Sequence, residues 1–443
     1  MAAIEKDNTS QVFADAVLGT RAATSVDPAQ AALKQQAQDR LTQLKLPGVK
    51  DEDWRFVRLR PLTNIAFVPA HQVKATVTAK MVAHYAIAEA DGQRLVFING
   101  QYSAEFSDLS RLKAQPGVQG GAFGQDAALP GAAAEKLGKV AHYYADDYFA
   151  NLNSAGFGDG AYLLVEKDTS VEGVIQVLYL STESADAFAV HPRNLFVLGR
   201  GSKANVVEDY IGPHGGVYFN NVLSEIDLSE SATLHHTRVQ RDGRAAYHIA
   251  RTTIDLARGS TYNSTNISLG ALFSRYDVYG NGDAEQIDCT LDGLALIDGK
   301  QVSDTHTVMD HRKAHGESHQ LHKMIVDDEA HAVFNGKVFV RPQAQIIDAY
   351  QLNRTLLLAP KAKVNAKPQL EIFADDVKCT HGATIGQLEE DQLFYLKSRG
   401  LSEAEARDLL VYAFAAEVIE LIPIESLKHS LEEIVSQRTS KID

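Results

Sequence analysis

The chain has 443 residues, 43 of them Lys or Arg and 57 Asp or Glu, for a formal charge of −14, and apolar residues make up 45%. That length implies two to three units at about 150 residues each, or fewer if a repetitive β fold runs long, and the apolar share excludes disorder over most of it. The acidic balance argues against nucleic acid as the main partner, which would need clustered Lys and Arg, and no run of about 18 apolar residues is present to span a membrane.

The first residues lack a basic end followed by an apolar core and carry Glu5, Asp7 and Asp15, so neither an export signal nor a transit peptide is expected. Val12, Phe13, Ala16 and Val17 fit a short helix ending at Gly19. Asp27-Pro28 is a cap with proline in the first turn, followed by Leu33, Ala37, Leu41 and Leu44 at helical spacing until Pro47-Gly48. Trp54, the only tryptophan, reads as an anchor between this helical arm and the next domain. Residues 115–140 read as a loop. They hold no G-x-G-x-x-G, and the chain has no G-K-[ST], so nucleotide binding by this chain is not expected.

From about 155 to 375, about ten strand-length apolar runs are bounded by Gly, Asn, Asp or Ser. The pattern leaves a long sandwich, a pair of jelly rolls or a solenoid open, and the scarcity of two-residue hairpin turns counts mildly for a solenoid. From Gln387 onward the chain reads as helical. Glu389, Glu390 and Asp391 open one helix, and Lys397 and Arg399 close it before Gly400. Ser402-x-x-Glu405 is a capping box. Ala406, Leu409, Leu410, Ala413, Phe414, Val418 and Leu421 form the expected apolar stripe, and Leu427, Leu431, Ile434 and Val435 follow after Pro423. Residues 387–443 hold 6 basic and 12 acidic side chains, which suits either a docking module or a plain cap on a β body.

Two cysteines, Cys289 and Cys379, make no disulfide framework and point to a reducing, cytoplasmic compartment. On a strand, Cys379-Thr380-His381 puts thiol and imidazole on one face. Such a pair suits iron but does not complete a site, so further ligands would come from elsewhere or from a partner. The alternative is a buried cysteine and a surface histidine with no joint role. Six histidines lie between His306 and His331. His311, His315 and His319 are spaced by four, but Gly316 and the surrounding charges argue for an exposed polar connection. No G-x-S-x-G or H-E-x-x-H occurs. The carboxylate pair of a polysaccharide-cleaving β-helix is available only as Asp375 and Asp376, which on a strand would face opposite ways.

Val333–Gly336 (VFNG), Leu356–Leu358, Lys367–Ile372 (KPQLEI), Ala374–Thr384 (ADDVKCTHGAT) and Gln392–Gly400 (QLFYLKSRG) closely resemble the SufD family of iron–sulfur cluster assembly proteins. Weaker echoes lie at Glu52–Arg55, Leu152–Ala155, Leu269–Ala271 and Ser274-Arg275. The KPQLEI…ADDVKC-x-HGAT run separates it from the sister family, SufB. The resemblance implies a mainly β protein. A right-handed parallel β-helix core (151–385) would stand between an N-terminal helical and mixed domain (1–150) and a C-terminal helical domain (386–443). It implies a non-catalytic subunit that pairs with SufB through the β-helix and docks the ATPase SufC through its C-terminal helices. A transient iron–sulfur cluster or iron would be shared with SufB near their interface, and a link to iron acquisition follows. His381 matches the family residue tied to that site, as an iron or cluster-facing group. Cys379 matches the motif with a less settled role. His311 and Ser318 resemble the family pattern, whereas His315 and His319 depart from it. A purely architectural subunit, with every cluster ligand on SufB, is the alternative, and a homodimer is left open for the isolated chain.

Overall fold

The computed structural model describes residues 9–19, 27–125, 129–213 and 215–439. The centre is a β-solenoid. Among the described residues, eight coils each give one strand to each of two parallel sheets. The first sheet runs from Gly160–Val165 to Lys363–Ile372, and the second from Ile175–Leu180 to Val377–Gly386. Successive coils stack in register, as in the row Phe273, Val302, His331 and Lys363. Alternation follows the pleat. Along Asp288–Ile297, Cys289 and Leu291 are buried in the bore while Thr290 and Asp292 are only half-buried on the outer face.

The turn from the first sheet to the second is built the same way in seven coils. Asp168, Gly201, Ser231, Gly259, Gln286, His315 and Ile346 all take φ between 56° and 67°. Each donates its backbone N–H to a carbonyl of the following coil, on Arg200, Glu230, Arg258, Glu285, Ala314, Gln345 and Asp376 respectively. These left-handed corners turn the chain sharply and pair a backbone group that the turn would otherwise strand.

The bore is apolar at its closed end, where Phe97, Tyr179, Phe196 and Val206 pack together. Midway it holds a buried polar network. Glu208 lies 3.2 Å from His236 and accepts from Tyr210 and Ser224, while on the outer face of the first sheet Arg193 pairs with Glu225 at 2.6 Å beneath Tyr144 and Ser154. Helices cover both outer faces. Thr9–Leu18, Pro28–Leu41 and Tyr148–Gly156 bring Phe13, Val17, Leu41 and Leu152 against Phe219, Tyr247 and Phe273 of the first sheet. Glu403–Ile419 and Glu425–Thr439 bring Val411, Val418, Leu427 and Leu431 against Val239, Leu294 and Ile325 of the second.

Most local signals hold. Asp27 accepts from the N–H groups of Ala29 and Gln30, and the Ser402–Glu405 capping box forms. Trp54 is an anchor, packed on Phe149 at 5.4 Å between ring centroids and under the Arg275 guanidinium. Three readings change. Residues 115–140 are not one loop: Val118–Ala122 pairs antiparallel with Gly160–Val165, and Gly131–Lys136 is helical, while 126–128 lie outside the described residues. Its glycines serve packing, since a Cβ on Gly121 would meet the Tyr162 hydroxyl at 2.7 Å. The stripe on Glu403–Ile419 is rotated, with Val411, Ala415 and Ile419 buried while Leu409 and Leu421 are exposed. The histidine segment is two strands and a corner, not an exposed connection, because His311 and His322 are buried.

Candidate functional site

Among the described residues the last coil has no neighbour on its far side. Lys363–Ile372 and Val377–Gly386 are the terminal strands of their sheets, so both present an unpaired edge. Cys379 pairs with Ala349 and His381 with Gln351. Ala349 and Gln351 are buried bore residues, so both Cys379 and His381 face the mouth of the bore. Cys379 is half-buried against Val338, Val340, Ile347 and Ala349. Burial and the Asp348 carboxylate push its thiol up, which keeps it protonated at neutral pH. His381 is exposed.

Among the described residues no group of three or more His, Cys, Asp or Glu side chains is placed to hold a metal ion. The Cys379–His381 pair is two groups at an open edge, a partial donor set of borderline softness that suits iron only when other ligands join it.

Beneath the mouth the bore is polar. Gln351 Nε2 donates to Gln320 Oε1 at 3.2 Å, and Thr307 Oγ1 donates to the same oxygen at 2.7 Å. His322 packs tilted against Phe334 with centroids 4.6 Å apart, and burial lowers its imidazole to about 3. His311, its Nε2 2.9 Å from Ser318 Oγ, is lowered to about 4 by burial. His315 is a left-handed corner residue, His306 contacts Asp304 at 2.8 Å on the first sheet, and His331 meets Asn365 at 2.7 Å. His319 is exposed near Tyr350. These side chains are scattered over the bore, both faces and a corner. Asp375 and Asp376 are exposed at the bend before the last strand rather than on it.

Around the mouth, large apolar side chains are exposed: Ile346, Tyr350, Ile372, Phe373 and Ile385, then Phe394 and Tyr395 on the helix Glu390–Ser398. A strap from the N-terminal arm reaches the same end. Glu52 pairs with Lys367 and Asp53 with Lys337, both on the first sheet. The sequence alone did not point to Gln320, Gln351 or Thr307. The available signal was a polar residue at each inward position of Gln351, Asn353 and Thr355.

The family model described as the SufBD core domain of the SUF iron–sulfur cluster assembly system matches residues 179–414. An iron–sulfur cluster assembly SufBD family protein of Synechocystis is 38% identical over 97% of this chain and 100% of its own length. SufD of Escherichia coli is 30% identical over 91% of this chain and 92% of its own. A chloroplastic protein of Arabidopsis thaliana is 32% identical over 86% and 80%. No described helix is long and apolar enough to cross a membrane. With a solenoid that ends in an open coil carrying the C-x-H-G-A-T motif, and with relatives aligned over nearly the full length, the chain belongs to the SufD family of iron–sulfur cluster assembly proteins.

Proposed function

We propose that this chain is the non-catalytic subunit of a cytoplasmic SufB–SufC–SufD complex and adds its open coil to that of SufB. The carrying observation is that both sheets end on one coil whose edges are unpaired, whose rim is apolar, and whose mouth holds Cys379 and His381. Strand addition at two parallel edges gives main-chain hydrogen bonds, and the rim of Ile346, Ile372, Phe373 and Ile385 gives the buried apolar area. His381 then stands at the seam, where its neutral ring offers a lone pair to iron or to the nascent cluster while SufB completes the ligand set. Iron acquisition belongs to the same site.

Three parts divide the work. Residues 1–150 brace the first sheet and extend the second through Arg94–Ile98, 151–385 carry the coils and the site, and 386–443 dock SufC. Support for the dock is the Glu390–Ser398 helix, which has no buried residue and exposes Phe394 and Tyr395 within an acidic segment. In the absence of SufB the same edges serve a homodimer.

The test is co-expression with SufB and SufC, wild type and His381→Ala, with iron and sulfide measured per purified complex. Loss of both from an assembled complex supports the reading. Retention of both makes the chain an architectural partner with all cluster ligands on SufB.

A further inference from the structure

Gln351 is fully buried, at 0% exposure, and stands one rung below His381 in the second sheet. Its Nε2 donates to Gln320 Oε1, an oxygen already engaged by Thr307. Turning the amide end for end would set oxygen against oxygen. Gly336 closes the opposite side, where a Cβ would stand 2.0 Å from Gln351 Nε2. The amide is therefore gripped by its nitrogen, and its Oε1 is left buried with no hydrogen-bond partner. Such an oxygen has lost its water without gaining a replacement, which is unfavourable while it stays unpaired. Below it Gln320 Nε2 is likewise buried without a partner, but turning both amides to join the two would end the bond that Thr307 donates to Gln320 Oε1, and the next group above is His381. Neighbouring strands lie about 4.8 Å apart, so a rotamer change of the exposed imidazole brings a ring N–H within reach of it.

We propose that Gln351 is the positioning residue of His381: when the open end is covered, Gln351 Oε1 accepts one ring N–H and leaves the lone pair of the other ring nitrogen directed to the seam. The inference rests on the reading of His381 given above and adds the group that fixes its tautomer and orientation. A ring that ligates a metal commonly gives its second N–H to such a partner, whose loss typically weakens metal binding about tenfold or more. The Thr307–Gln320–Gln351 ladder supports that partner from within the bore, so the order of the site is set two coils below it.

The experiment uses the full complex, with this chain alone carrying ring-15N histidine and His381 assigned by the signal missing in His381→Asn. Wild type is expected to show one neutral tautomer at His381. Gln351→Met, which removes the acceptor, is expected to give both tautomers in exchange and about tenfold weaker iron binding. A wild-type ring that already averages between tautomers overturns the proposal without recourse to any variant, and so does a single tautomer that survives Gln351→Met. The outcomes separate from those of the underlying reading. If His381→Ala keeps its cluster, that reading fails whatever the ring does. If His381→Ala loses its cluster while the ring ignores Gln351, the reading stands and this inference falls.

Discussion

The Arg275 guanidinium lies over the Trp54 indole, 3.9 Å from the ring centroid, and donates to the Asp53 carbonyl at 2.7 Å. The same guanidinium bonds Asp277 at 2.8 Å and Asp304 at 2.7 Å, so one buried cation holds two carboxylates and the strap. Arg275→Met leaves the part-buried Asp277 without its guanidinium and the buried Asp304 with His306 alone. The expected loss is about 3–5 kcal/mol, and Trp54→Ala, which removes the stacked ring but no charge, should cost less, about 2 kcal/mol. Urea unfolding of the two variants checks the order. An Arg275→Met chain as stable as wild type would show that the carboxylates are not held by this contact.

Acid should weaken the fold in two stages. His311 and His322 are buried neutral, with protonation lowered by burial to about 4 and about 3. The unfolded chain takes up these protons near pH 6.5, so the stability they contribute is complete above 6.5. It falls by about 1.4 kcal/mol per pH unit for each histidine as the pH drops toward 4. For Glu208, burial raises the carboxyl, but the His236 charge and hydrogen bonds from His236, Tyr210 and Ser224 outweigh it and hold it at about 2. Its contribution, on the order of 3 kcal/mol, is present above about 4.5 and is lost between there and pH 2. Unfolding free energies measured from pH 7 to 4.5 should slope, and His311→Asn should reduce the slope. An unchanged slope would remove His311 from the account.

Ile346 is a β-branched residue held at φ 58° and 52% exposed. A left-handed L-residue costs roughly 1–2 kcal/mol, and β-branching makes it an outlier. Ile346→Gly should therefore raise the melting temperature of the isolated chain, by about 1 kcal/mol in unfolding free energy, while weakening capture of SufB through loss of a rim side chain. Higher stability with unaltered capture would place the SufB contact elsewhere.

Gly336→Ala tests the packing around Gln351. The added methyl meets Gln351 Nε2 and also lies 2.8 Å from Phe334 Cζ, and Gln351 has no free space to move into. Overpacking of this kind costs about 1–3 kcal/mol. Denaturant unfolding should show that loss, and a neutral result would mean the Gln351 amide is not gripped.

Local signals were legible where one residue type does one job. Asp27-Pro28 and Ser402–Glu405 name their helices because caps depend on adjacent residues. The solenoid was not decidable from pattern alone. Its corners are occupied by Asp168, Ser231, Gln286, His315 and Ile346 as well as by two glycines, so no repeat spells them out. The stripe on Glu403–Ile419 was misplaced because that helix is apolar on more than one side, and only packing on Ile325 and its neighbours chooses the face. Strand alternation correctly put Cys379 and His381 on one side. Gln351 was missed because a glutamine at an inward position looks like a surface residue until the coil above and below it is known.

The strap has a consequence for how the chain is made. Each coil pairs with the one just before it, so strand pairing can advance along the chain as it emerges and loop closure stays short. Glu52 must instead wait for Lys367, 315 residues later. A nascent chain can stack coils from the ribosome outward but cannot lay the strap along its whole length until the final coil exists. Closure of this contact therefore coincides with completion of the edge offered to a partner, and a chain truncated before Lys367 would carry an arm fastened only at Arg275 and Lys337.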